Sequence, residues 1–271
     1  MGEQLSELAV LESVLTGMRE IAVAVSGGVD SLTLATYAHR LLPQRVAMYH
    51  AVSPAVPDEG TQRTRALARR EGWTLRVIDA GEFDNPEYMR NPVNRCFYCK
   101  TSLYGAIRPH TGAQIVSGTN LDDLGEYRPG LIAAKEHGVR HPFVEAAMTK
   151  QQVRALAREL GMQEIAELPA SPCLSSRMET GIAIDAGVLS AIHAAERLVT
   201  EALCPKTVRC RVRASGVVIE LDEATLASLD DALRTRLDER IAERFRSTGV
   251  HARLRFEPYR TGSAFLHFKS G

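Results

Sequence analysis

The stretch "IAVAVSGGVDSLTLATYAHRLL", Ile21 to Leu42, decides the fold. Five apolar residues read as a strand buried on both faces; they stop at Ser-Gly-Gly-Val-Asp-Ser, and apolar residues then recur at helical spacing. Strand, glycine turn and helix in immediate succession suit an anion such as phosphate or pyrophosphate. Gly27 and Gly28 let the chain turn sharply and bring backbone N–H groups toward a ligand. The following helix aims its unpaired N–H groups and positive dipole end at the same point, and the Ser26 and Ser31 hydroxyls add donors. The loop lacks the lysine of a Walker A motif and the spacing of the dinucleotide fingerprint.

Outward from this turn the alternation repeats. "RVAMYHAV" (45–52), "LRVIDA" (75–80) and "AQIVSGT" (113–119) are short apolar runs expected to be strands buried on both faces. Between and after them lie segments of helical spacing at 31–42, 60–71, roughly 100–108 and "MTKQQVRALARELG" (148–161), the last opening on a Thr N-cap and closing on Gly. This predicts an α/β fold, a doubly wound parallel sheet with right-handed crossovers, with an amphipathic helix through about residue 19 packed on it. After "SPCLSSRMETG" (171–181) the pattern changes to a helix (186–202), a hairpin of "TVRCRVR" and "GVVIELD" around Ala214-Ser215-Gly216, a second helix (229–245) and a last strand, "ARLRFEPY" (252–259). The expected domains are therefore 1–180 and a smaller α+β domain at 181–271.

The 271 residues, 45% of them hydrophobic, suffice for a sizeable core. Lys plus Arg (33) equals Asp plus Glu (33), which lacks the basic excess that nucleic-acid binders use and argues against such a partner. No secretory signal pattern and no run of about 18 apolar residues is seen, so the expectation is a cytoplasmic protein without a membrane partner. Five cysteines, an odd number, argue against a disulfide framework.

A second motif, "SGTNLDDLGEYRPG" (117–130), follows the run at 113–116. Gly118 permits close approach, Asp122 and Asp123 are hard oxygen ligands of the kind Mg2+ prefers beside phosphates, and Arg128 can clamp a carboxylate or phosphate. An ordinary Asx-rich loop is the plainer alternative. Among the cysteines, "NRCFYCK" places Cys96 and Cys99 in a Cys-x-x-Cys, and "SPCLSSR" sets Cys173 near Arg177, a neighbour able to favour a thiolate. Three thiolates suit a 4Fe-4S cluster with one open iron; a redox pair, or a zinc site completed by Cys204 and Cys210, are alternatives that spacing leaves open. In "TVRCRVR" Val208, Cys210 and Val212 share one strand face, expected to be core, and Arg209, Arg211 and Arg213 the other. That arginine face reads equally as a solvated surface or as an anion site free of acidic neighbours.

Ser-Gly-Gly-Val-Asp-Ser after the first strand resembles the hallmark of the PP-loop ATP pyrophosphatases, adenine nucleotide alpha hydrolase-like proteins that cleave ATP between the α- and β-phosphates. The resemblance implies that Ser26, Gly27, Gly28, Asp30 and Ser31 hold pyrophosphate and Mg2+, with Gly118 and Asp122 beside them and Asp30 a metal partner. Together with "RCFYCK", "EYRPGL", "RALARELG", "SPCLSSR", "ETGI", "TVRCRVR" and "YRTGS", the chain resembles one branch, the LarE-type sulfur transferases of nickel-pincer nucleotide biosynthesis, along nearly its whole length. That resemblance implies adenylation of a carboxylate of pyridinium-3,5-biscarboxylic acid mononucleotide by ATP, displacement of AMP by sulfur, and a homo-oligomer between dimer and hexamer. It also implies substrate contacts at Arg128, Ser176, Glu196, Arg209 and Arg211, catalysis by Cys173 and Asp30, and a 4Fe-4S cluster on Cys96, Cys99 and Cys173 in place of a single sacrificial cysteine. Rival readings are a PP-loop tRNA thiolase, which the neutral charge disfavours, an ammonia-using synthetase, which leaves the three cysteines idle, and a nucleotide-binding module without turnover.

Overall fold

In the computed structural model, which describes residues 6–125, 128–250 and 254–264, the apolar run before the glycines forms β1 (Ile21–Ala24), buried along its length. It sits inside a parallel sheet with β2 (Val46–Val52), β3 (Thr74–Asp79) and β4 (Gln114–Ser117), in the order β3-β2-β1-β4. The helices run, in chain order, α1 (Glu7–Thr16), α2 (Val29–Leu41), α3 (Asp58–Glu71), α4 (Pro86–Met89), α5 (Arg95–Ile107), α6 (Pro129–Glu136), α7 (Pro142–Glu145), α8 (Lys150–Glu159), α9 (Gln163–Ala166), α10 (Ala186–Leu203), α11 (Glu223–Ala227) and α12 (Asp231–Phe245).

Alternate residues of β1 point to opposite faces, and each face has its own core. Ile21, Val23 and Val25 pack with Leu11 and Leu15 of α1, Leu32 of α2 and Val153 and Leu156 of α8. Ala22 and Ala24 pack with Tyr104 and Ile107 of α5 and Ala134 of α6. The sheet is thus covered on both sides, the doubly wound arrangement, and β1 is buried on both faces as expected. At 75–80 that expectation fails: β3 is one of the two edge strands, most of its residues are accessible, and Val77 is among the exposed large hydrophobics, whereas β4 at the other edge is mostly buried. An edge strand has a neighbour on one side only, and Thr74, Arg76 and Asp79 break the apolar run accordingly.

The chain forms two compact units. One comprises the residues up to Asn85 together with Cys96–Ser171; the other comprises Pro86–Arg95 and the residues from Pro172 on. Sequence patterning placed a boundary near 180 and did not separate Pro86–Arg95. In the second unit β5 (Val208–Arg213) and β6 (Gly216–Leu221) form the expected hairpin, and β7 (Arg255–Pro258) adds to β6 in parallel. Residues 252 and 253 of the expected last strand, and Glu126 and Tyr127 of "EYRPGL", lie outside the described residues. Cys210, Val212, Val217, Ile219 and Leu221 are buried, so the core face of the hairpin is as read. The segment Pro86–Arg95 is stitched into this unit: Asn91 Nδ2 donates to the carbonyls of Glu179 (2.8 Å) and Ile182 (2.9 Å), and the Tyr88 hydroxyl meets Ser175 Oγ at 2.6 Å. Among the described residues no helix is long and apolar enough to cross a membrane.

Candidate functional site

The turn after β1 is built to leave amides available. Gly28 is the N-cap of α2 in an extended conformation, and no side chain caps the helix, so its first-turn N–H groups are left for another acceptor. Ser31 Oγ braces the turn from inside, accepting from Ser26 N (3.1 Å), donating to Gly28 O (3.2 Å) and lying 3.2 Å from Ser26 Oγ. The structure shows which backbone the glycines let in. Gly27 has φ +81°, and a Cβ there would lie 2.5 Å from Gly60 O in the first turn of α3; a Cβ on Gly118 would lie 2.7 Å from the backbone of Asp30 and Ser31. Both are bare so that backbone can pack on backbone.

Asp30, in the first turn of α2, does not cap its own helix. Its carboxylate accepts from Asn120 Nδ2 at 3.3 Å and forms an ion pair with Lys150 Nζ. Asp122 accepts from the backbone N–H of Lys150 at 2.9 Å, Asp123 accepts from Asn120 N at 3.1 Å, and Asp123 also pairs with Arg128 at 2.9 Å. Asp30, Asp122 and Arg128 are therefore drawn together through Asn120, Asp123 and Lys150, which connect the carboxyl ends of β1 and β4. Sequence reasoning missed Lys150 and Asn120. A signal for Lys150 existed: a cation at the first position of a helix opposes the helix dipole, so a partner such as Asp30 is called for. Thr149 caps that helix reciprocally with Gln152 and fixes where Lys150 starts.

Two histidines stand beside this cluster. His50 is fully buried, with Nδ1 2.8 Å from Val25 O and Nε2 2.9 Å from Thr61 Oγ1, and burial lowers its pKa. His141 Nδ1 lies 2.8 Å from Ser117 Oγ at the end of β4; burial again lowers its pKa, opposed by the nearby Glu145 and Asp123 carboxylates.

The second unit gathers a different set. Arg177 makes a two-point pair with Glu196, Nε to Oε1 at 2.9 Å and Nη2 to Oε2 at 3.1 Å, and both are nearly buried. Its Nη1 donates to the carbonyls of Pro172 (2.7 Å) and Cys173 (3.2 Å) and to Ser176 Oγ (3.1 Å). Arg177 thus clasps the backbone that carries Cys173. Glu196 also accepts from Cys210 N at 2.9 Å. Arg211 donates to Ser176 O at 3.0 Å, and Arg209 lies 5.9 Å from the Tyr259 ring centre, its pKa lowered by burial and then by the Arg177 charge. Ser176, Glu196, Arg209 and Arg211 therefore share one neighbourhood with Cys173, while Arg128 belongs to the first unit.

The arginine face is not free of acid. Glu220 pairs with Arg211 at 3.0 Å and Arg213 at 2.6 Å, and Glu257 pairs with Arg213 at 3.1 Å. Glu220 lies opposite Arg209 in the hairpin register, so its side chain falls on the arginine side.

No disulfide joins any of the five cysteines. Cys96 and Cys99, half-buried in the first turns of α5, belong to the first unit and Cys173, also half-buried, to the second. As a donor set, three partly accessible thiols outside any disulfide fit iron-sulfur chemistry. Among the described residues no three His, Cys, Asp or Glu side chains stand grouped to hold a metal ion. Cys210 is unsuited to a zinc site, since full burial pushes its pKa well up and keeps it a thiol.

No family model matches the chain. It is 30% identical over 223 residues to a pyridinium-3,5-bisthiocarboxylic acid mononucleotide synthase of Lactiplantibacillus plantarum, covering 80% of this chain and 80% of that protein. It is 37% identical over 198 residues to an uncharacterized protein of Synechocystis, covering 69% and 74%. It is 29% identical over 181 residues to a glutamine-hydrolyzing GMP synthase of Aeropyrum pernix, covering 59% of this chain and 35% of the synthase.

Proposed function

This chain belongs to the LarE-type family of PP-loop sulfur transferases, and from that premise we propose that it uses ATP to convert a carboxylate of pyridinium-3,5-biscarboxylic acid mononucleotide into a thiocarboxylate. The observation that supports this most directly is the pairing of chemistries in one chain: an uncapped helix start after the glycine turn, and a cysteine loop clasped by Arg177 and Glu196.

The substrate carboxylate attacks the α-phosphorus of ATP, the bond to the β-phosphate breaks, and pyrophosphate leaves. Its charge is met by the first-turn amides of α2 and by the Ser26 and Ser31 hydroxyls. Asp30 and Asp122 would hold Mg2+, a fit given by two partly accessible carboxylates joined through Lys150. Lys150 balances the Asp30 charge and stands ready for a phosphate oxygen. The acyl adenylate is then a mixed anhydride, and sulfur attacks its carbon while AMP departs. Ser176, Glu196, Arg209 and Arg211, with Arg128 for a carboxylate, bind the mononucleotide in this reading. Where Cys173 delivers its own sulfur, its thiolate displaces AMP to form a thioester, and loss of its Cα proton with cleavage of its Cβ–S bond releases the thiocarboxylate and leaves dehydroalanine at position 173. In the finer version Cys96, Cys99 and Cys173 would hold a 4Fe-4S cluster, which when bound supplies an open iron for an exchangeable sulfide. The protein would act as a homo-oligomer in the cytoplasm.

The test is anaerobic purification with iron and sulfide analysis, then turnover with ATP and the biscarboxylic mononucleotide, followed by pyrophosphate release and intact mass. Cys173→Ala should keep pyrophosphate release and abolish thiocarboxylate formation; sulfur transfer by that variant would sink the proposal. Iron with sulfide and no mass change supports the cluster version. Loss of the elements of hydrogen sulfide from iron-free protein supports a sacrificial Cys173.

A further inference from the structure

The glycine turn is held from behind by α3 and by the end of β2. Gly60 in the first turn of α3 packs its backbone against Gly27. His50, near the end of β2, holds Val25 O on Nδ1 and reaches Thr61 of α3 through Nε2. One turn along α3, Arg63 Nη1 donates to Gly27 O at 2.6 Å, and its guanidinium is partly buried there.

These contacts fix peptide planes. In a trans peptide the C=O of one residue and the N–H of the next point in opposite directions. Holding Val25 O against His50 turns the Ser26 N–H the other way, and that N–H does meet Ser31 Oγ of α2. Holding Gly27 O against Arg63 turns the Gly28 N–H away from α3 in the same manner, on the side where α2 begins. A glycine peptide is the one most able to flip, because both φ signs are open to it. A flipped 27–28 peptide would point a carbonyl oxygen, a negative dipole end, where the anion has to sit.

We propose that Arg63 is a positioning residue: by binding Gly27 O it locks the 27–28 peptide with its N–H toward the pyrophosphate, and its charge enters the reaction only through that peptide. This rests on the reading of the turn as the pyrophosphate site. Sequence motifs gave no hint of it, since Arg63 lies in a helix rich in arginines and only the fold picks it out from Arg65, Arg69 and Arg70.

Titration calorimetry with magnesium pyrophosphate and, separately, with AMP on the full-length protein tests the idea, together with the KM for ATP. Arg63→Met should weaken pyrophosphate binding and raise the ATP KM about tenfold, the order set by one charge-assisted hydrogen bond, while AMP binding stays within about twofold. Arg63→Lys, which keeps the charge and one donor head, should recover part of the loss. Unchanged pyrophosphate binding in Arg63→Met, or equal losses for pyrophosphate and AMP, overturns the inference. If Arg63→Met does not fold, Arg63→Gln is read the same way, and failure of both to fold assigns Arg63 to the fold alone and also overturns it. Wild-type protein that binds neither pyrophosphate nor ATP refutes the reading of the turn instead.

Discussion

In the first unit the ion pair beside the glycine turn stays within reach of solvent, with Lys150 and Asp30 side chains 34% and 25% exposed. In the second unit the pairs that dominate the arginine face are sealed: Arg211 and Glu220 are 5% and 1% exposed, Arg177 and Glu196 3% and 11%. The same residue types therefore play different parts. An accessible pair can exchange partners when an anion and its counter-ion arrive, because little desolvation is at stake. A sealed pair is committed, since breaking it leaves a charge without water or partner. Arg177 and Arg211 accordingly shape the loop around Cys173 and Ser176 through backbone carbonyls, and any substrate contact they make is added to that bracing.

The comparison can be broken most sharply at Glu220, which holds Arg211 and Arg213 at once. Glu220→Ala should cost about 3–5 kcal/mol in urea denaturation followed by circular dichroism, the range for uncovering a buried charge. A change under about 1 kcal/mol would place the arginine face among ordinary surface ion pairs. Next comes Gly27→Ala, which forces a left-handed φ on a residue with a Cβ and drives that Cβ into Gly60. It should lower stability by about 2–4 kcal/mol through strain and overpacking and suppress pyrophosphate release. Trp73, the chain's one tryptophan, sits in the core of the first unit, so its fluorescence follows this transition directly. Thr149→Ala should cost about 1 kcal/mol by removing the cap that starts α8 at Lys150, with the Trp73 signal again the readout. The smallest effect is acidification. His50 and His141 are kept neutral by burial, their pKa values lowered from 6.5. Above that pH native and unfolded chains are both neutral there; as pH falls through it, the unfolded chain takes up protons the native one refuses, so stability declines. A Trp73 midpoint that rises on acidification from pH 7 to 6 would contradict this.

Much of the fold could be read from strand runs and helix caps, because burial on two faces and a Thr-x-x-Gln cap leave local marks at Ile21–Ala24 and Thr149. Edge position leaves a weaker one, and β3 was read as more buried than it is. The glycine turn could be read as a candidate anion site, but not what its glycines pack against, since Gly60 and the Asp30–Ser31 backbone meet them only in the fold. Lys150, Asn120 and Glu220 were missed for the same cause: each gains its role from a partner distant in sequence or across a strand. Charge counted along β5 could not reveal that Glu220 and Glu257 already answer two of its arginines.

The excursion of Pro86–Arg95 into the second unit has a practical consequence. The chain passes between units at 85/86, 95/96 and 171/172, so no single cut separates them. A fragment ending at Ser171 would carry Tyr88, Asn91 and Arg95, all buried in the intact chain, stripped of Ser175, Glu179 and Ile182. A fragment beginning at Pro172 would lack the same segment and leave those partners unmet. The piece beginning at Pro172 should therefore be unstable alone and gain stability when residues 86–95 are supplied to it, a dependence that makes the halves of this protein hard to exchange or inherit separately.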